Sequence, residues 1–118
     1  MIELIKIGSL MSPPLGKNPM VMLSCDDELI NYYIDILINN YKEYRYQKTN
    51  GIIRDKRYKG IPDGEPKVGE SFTLDGSRFW TSEVIRVIDD KILITRNSVY
   101  ALHDISKLRE EKIKKILN

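Results

Sequence analysis

A single histidine, His103, excludes every mechanism that needs two, and a single cysteine, Cys25, excludes an internal disulfide framework. No H-E-x-x-H, C-x-x-C or carboxylate-rich loop offers a metal cage, so neither a metal nor any other cofactor is expected. Neither G-x-x-x-x-G-K nor G-x-G-x-x-G follows a strand-like run, which leaves nucleotide binding at a helix N-terminus unsupported. No run approaches the roughly 18 consecutive apolar residues of a membrane span. The opening M-I-E-L-I-K-I-G has no basic leader, apolar core and small-residue cleavage site. A secretory signal is therefore not expected, and the lone thiol fits a reducing cytoplasm. Charge of one sign is also scarce: 19 Lys and Arg face 17 Asp and Glu, a net +2 too small to announce a nucleic-acid binder.

What is present points to one domain. A length of 118 residues suits a single unit over 1–118. Its first part, 1–65, holds short strands, a helix and a basic loop; its second, 66–118, holds a β-meander and a short helix. Hydrophobic residues at 42% and charged residues at 31% are ordinary for a globular chain.

The meander is the most legible part. V-G-E-S-F-T-L, S-R-F-W-T-S-E-V-I-R-V-I and K-I-L-I-T-R-N-S-V-Y-A-L are three runs rich in β-branched and aromatic residues. Asp75-Gly76 and Asp89-Asp90 separate them, and Gly and Asp tolerate the positive φ of primed hairpin turns. In the third run, Leu93 and Thr95 alternate in phase with Asn97, whereas Tyr100 and Leu102 alternate in phase with Ser98. That slip predicts a β-bulge at Asn97-Ser98, bending the sheet toward an SH3-like barrel. In the second run, Phe79, Ile85 and Val87 are expected on one face and Trp80, Ser82, Val84 and Arg86 on the other. Trp80 is expected to pack under the helix rather than to form an exposed platform.

Upstream, Ile2 to Ile7 and Met20 to Leu23 read as two strands joined through the loop of Pro13, Pro14 and Pro19. Ser24 is the expected N-cap of a helix from about Cys25 to Tyr44, with Asp27 in the capping-box position. Leu29, Ile30, Tyr33, Ile34, Leu37, Ile38 and Tyr41 form a stripe at the 3.6-residue period. The stretch to Pro66 has no sustained period, with a short strand expected near Gly51 to Arg54. Ser106 to Leu117 reads as a C-terminal helix. The expected fold is therefore α+β: an amphipathic helix on a small curled antiparallel sheet.

Chemistry-bearing candidates are few. Cys25 in a first helical turn has a route to a lowered pKa, but only His103 is present to act as its base. A small buried thiol is the favoured reading, and no catalytic residue is assigned. Asp26, Asp27 and Glu28 are explained by helix-start electrostatics without a metal. The segment from Tyr41 to Lys59 is richer: Lys42, Arg45, Lys48, Arg54, Lys56, Arg57 and Lys59 interleave with Tyr41, Tyr44, Tyr46 and Tyr58. Cations meet phosphates and aromatic rings stack on bases, which suits nucleic acid. Tyr and Arg also dominate protein hot spots. A solvated loop whose tyrosines cover the core is the third reading. Partner binding is assigned to Tyr44, Arg45, Tyr46, Arg54, Lys56, Arg57, Tyr58 and Lys59.

W-T-S-E-V-I-R-V followed by L-I-T-R-N-S-V-Y-A-L, from Trp80 to Leu102, resembles a signature of short bacteriophage and mobile-element proteins. N-N-Y-K-E-Y-R-Y fits an AT-rich genome of that kind. V-M-L-S-C-D-D-E-L-I-N-Y-Y resembles a second phage family with a paired-histidine phosphoesterase-like fold. This chain lacks both of that family's histidines, so the activity does not carry over. With no catalytic motif, the expected function is a non-enzymatic binding protein that engages or inhibits a host protein; the resemblance implies the host-cell cytoplasm, and host takeover or counter-defence, as its setting. The alternative is a small nucleic-acid-binding module using residues 41–59. No membrane partner is expected.

Overall fold

The first strand decides the architecture. In a computed structural model describing residues 1–10, 19–24, 27–48 and 57–105, β1 (Ile2–Leu10) pairs antiparallel with a partner on each side. One side takes β8 (Ser98–Asp104). The other is shared by β4 (Arg57–Gly60), opposite Ile2 to Ile5, and β2 (Met20–Leu23), opposite Gly8 to Leu10. Beyond β2 lies β3 (Arg45–Lys48), parallel to it, and α1 (Glu28–Asn40) makes the crossover between them. Beyond β8 follow β7 (Ile92–Thr95), β6 (Phe79–Ile88) and β5 (Ser71–Leu74), all antiparallel. The fold is α+β, and among the described residues the strands of the two parts of the chain form two blocks that join at β1 and β8 in one eight-stranded sheet.

The sheet curls on itself. Past β4, Pro62 bridges Leu74, the Asp75 amide donates to the Ile61 carbonyl (2.8 Å), and the Asp63 amide donates to Thr73 (3.2 Å). The path β1, β8, β7, β6, β5 is thus brought back to β1 through this bridge and the β4 strand that precedes it, which closes a ring. Leu4, Phe72, Leu74, Val84, Leu93 and Tyr100 fill the interior of this ring. The outward faces of the same strands, with Ile5, Ile7, Ile92, Ile94, Val99 and Ala101, meet α1. Strands buried on both faces read as continuous apolar runs rather than alternations. L-I-K-I and I-L-I-T are such runs.

Four strands form the meander, not three. Thr95 and Ser98 terminate β7 and β8 around a two-residue connection at Arg96-Asn97. The Thr95 hydroxyl accepts from the Ser98 amide (3.1 Å) and donates to its carbonyl (2.9 Å). The phase slip expected to mark a bulge is thus a hairpin turn. Register irregularities lie elsewhere, at Lys6/Gly8, Ser71/Thr73 and Val84/Arg86. The last regroups β6: Phe79, Val84 and Val87 side with the ring interior, Ile85 and Ile88 with the helix. Asp89 and Asp90 hold φ of 51° and 54°, and the Lys91 amide closes the turn onto Ile88 (2.9 Å). That is the primed geometry expected of the pair.

The helix is shorter than its pattern. Asp27, not Ser24, caps it, its carboxylate accepting from the Leu29 amide (2.9 Å). The Ser24 amide is instead committed to the Ile7 carbonyl (3.0 Å), which keeps that residue in the sheet. At the other end, the Tyr41 amide closes onto Leu37 (2.8 Å) and the chain turns into β3. Ile30, Tyr33, Ile34 and Leu37 are buried. The expected strand near Gly51 to Arg54, the loop at Pro13 and Pro14, and the C-terminal helix lie outside the described residues. No helix among the described residues is long and apolar enough to cross a membrane.

Leu37 has no exposed surface, so Leu37→Ala should cost about 2–5 kcal/mol in urea unfolding. A loss below about 1 kcal/mol would mean that this face of α1 is not core.

Candidate functional site

The basic, tyrosine-bearing segment is divided among three surroundings. Tyr44 stacks on Tyr41, with centroids 4.2 Å apart and planes 13° apart. The Arg86 guanidinium sits 4.7 Å from the Tyr41 ring and bonds Glu43 (3.2 Å) and the Asn40 carbonyl (3.3 Å). The Tyr46 hydroxyl donates to the Leu37 carbonyl (3.4 Å). Burial is the chief cause that pushes the Tyr46 phenol up to about 12 and raises that of Tyr41 further. These rings therefore finish the end of α1, and Arg45 and Lys48 stand exposed beside them on β3.

Arg57, Tyr58 and Lys59 sit on β4, beside the opposite half of β1 from the one β2 joins. Tyr58 stacks on Phe79 (4.1 Å, 21°) at the ring interior. Arg57 reaches the capping carboxylate of Asp27 (2.6 Å) and the buried Glu3 (3.8 Å). Lys59, opposite Glu3 in register, is exposed. Arg54 and Lys56 lie outside the described residues, as does Cys25. Among the eight expected binding residues, then, Arg45 and Lys59 are exposed without a role in these internal contacts. Arg57 is half exposed and already paired.

His103 lies buried on β8, its Nδ1 3.1 Å from the Tyr33 hydroxyl and its ring edge-on to that tyrosine. Register places it opposite Glu3. The arrangement ties α1 to the sheet. Among the described residues, no group of three or more His, Cys, Asp or Glu is placed to hold a metal ion.

Two surface features escaped the sequence reading. Trp80 is 66% exposed, because its register partner is Thr73 and α1 lies over β1 and β7 instead. Its neighbour Phe79 takes the inward place. The second feature is a cleft of about 350 Å³ beside the loop from Pro62 to Pro66. Ile2, Phe72 and Leu102 line it together with Glu65, Asp90 and Asp104. Its loop wall is fixed by Asp63, which accepts from the Thr73 hydroxyl (2.6 Å) and the amides of Gly76 (2.6 Å) and Ser77 (2.9 Å). Those bonds, the Thr73 hydroxyl foremost, hold its carboxyl below the usual range. Asp75 adds a bond from the Ile61 amide (2.9 Å). The sequence signalled this place only as turn residues, P-D-G-E-P and D-D.

No family model, curated protein or solved structure matches the chain.

The Arg57 contacts give two tests. Arg57→Ala leaves Glu3 buried without that partner, and should cost about 1–3 kcal/mol in urea unfolding. A free surface arginine would change stability by less than about 0.5 kcal/mol. The Asp27 carboxyl is held below its ordinary value of 3.8, first by the Leu29 amide and then by Arg57. A lowered carboxyl pKa adds stability above the unfolded value, and loses it as pH falls through the folded one. Asp27→Asn keeps the cap but cannot titrate. Its stability should therefore fall less steeply than the native protein's below about pH 3.8, followed by circular dichroism.

Proposed function

We propose that this chain is a non-enzymatic binding protein, built on an SH3-like small barrel, that engages a protein partner through the edge strand β3. The observation carrying this reading is that β3 pairs only with β2 among the described residues and exposes Arg45, Gln47 and Lys48. A strand edge offers unpaired amides and carbonyls to an incoming extended segment, and the side chains along it select the partner. Cations at Arg45 and Lys48 favour an acidic segment. Tyr44 and Tyr46, fixed against the end of α1, hold the strand rigid, so little ordering remains to be done on binding. Lys59, exposed on β4, supplies further positive charge. The resemblance to phage proteins makes a host protein the expected partner, and host takeover or counter-defence the setting.

Pull-down from bacterial lysate, with and without nuclease, followed by titration of the captured protein, tests this reading. Arg45→Glu with Lys48→Glu should weaken that partner at least tenfold, with stability changed by less than about 0.5 kcal/mol per site. Nuclease should leave the complex intact. Tight duplex binding that falls with salt by about 0.9 log units of affinity per log unit for each phosphate contact would instead mark a nucleic-acid module.

A further inference from the structure

We infer that the acid-rimmed cleft between the Pro62–Pro66 loop and the end of β8 is a second docking site, which takes a lysine- or arginine-bearing segment of a protein partner. It is separate from the β3 edge and does not depend on the function proposed for that edge. Two features of the cleft point to this occupant. Ile2, Phe72 and Leu102 provide an apolar floor, and Glu65, Asp90 and Asp104 place three carboxylates around it. Lysine and arginine are the side chains that suit both, because their aliphatic stems lie on apolar surface while the charged heads stay at a polar rim. An acidic segment would set like charge against Glu65 and Asp90, and a purely apolar one would strip water from them without offering a countercharge. At about 350 Å³ the cleft lies near the lower end of binding-site volumes, which suits a few side chains of an extended segment.

The walls are already set. Asp63 ties the loop to Thr73, Gly76 and Ser77, and the Ile61 amide at its start donates to Asp75, so this side of the cleft needs no ordering on binding. Asp90 is held by the positive-φ turn that joins β6 to β7. The three carboxylates come from a loop, a turn and a strand end, and closure of the ring is what brings them together.

A fluorescently labelled peptide alternating leucine and arginine, titrated into the full chain, is the probe, with the leucine–glutamate peptide as its control. The arginine peptide should bind and the glutamate peptide should not. Glu65→Gln with Asp90→Asn should weaken the arginine peptide about three- to tenfold, the range for exposed charge pairs. Asparagine tolerates the positive φ at position 90, so the turn should survive, and an unchanged melting temperature would verify this. Binding should also weaken with added salt, whereas Arg45→Glu with Lys48→Glu should leave it intact. That last arm separates failure of this site from failure of the β3 edge. Equal binding of both peptides, no loss in the Glu65/Asp90 variant, or no binding of the arginine peptide would each overturn the inference. So would concentration-dependent self-association abolished by the same two substitutions, since the occupant would then be a second copy.

Discussion

The shared pairing of β1 is the constraint on which the rest of the structure depends. Nine residues serve β8 along one side and two different strands along the other, so β1 has no free edge over most of its length. The change of partner from β4 to β2 falls around the irregularity at Lys6/Gly8. A Cβ on Gly8 would sit 2.5 Å from the Met22 carbonyl oxygen, so only glycine lets β2 approach there. Both cores lean on this strand, through Leu4 into the ring and through Ile5 and Ile7 against α1. With β1 in place, the first part of the chain supplies the wall that closes the meander of the second.

Local signals carried the sequence reading a long way. The α1 stripe, the Asp89-Asp90 turn and the strands at both ends of the chain follow from period and turn chemistry, which act over a few residues. The errors have non-local causes. Asp27 caps in place of Ser24 because pairing with β1 keeps Ser24 in the sheet, four residues before the helix begins, and the Asp27 carboxylate also meets Arg57 from β4. Neither partner is near in sequence. The phase slip at Asn97-Ser98 was real, but period alone cannot tell an inserted residue from a reversal of direction. Trp80 faces water because ring closure decides which face of β6 is interior, and closure depends on a bridge between Pro62 and Leu74.

The candidate site was less legible for a related reason. Composition counts charges and rings along the chain, whereas binding depends on those left over after folding. Tyr44, Tyr46 and Tyr58 are spent on packing, and Arg57 on two carboxylates. Arg86, outside the basic segment, supplies the cation that meets Tyr41. The cleft was hidden for the opposite reason: Glu65, Asp90 and Asp104 are far apart in sequence, and each alone is an ordinary turn or strand-end residue.

A net charge of +2 sets a weak field for the molecule as a whole, so its electrostatic character is local. At physiological salt, charges are screened beyond about 8 Å. Arg45 and Lys48 on β3 therefore act as one feature and the carboxylates of the cleft as another, each felt only at short range. Internal pairing sharpens this division: Arg57 and Arg86, had they been free, would have spread positive charge over surfaces that now carry closed ion pairs. The same contacts that stitch α1 to the sheet thus leave two chemically distinct surfaces, one cationic strand edge and one acidic apolar cleft. The cationic edge lies within the basic segment that composition picks out, whereas the acidic cleft is assembled only by the fold.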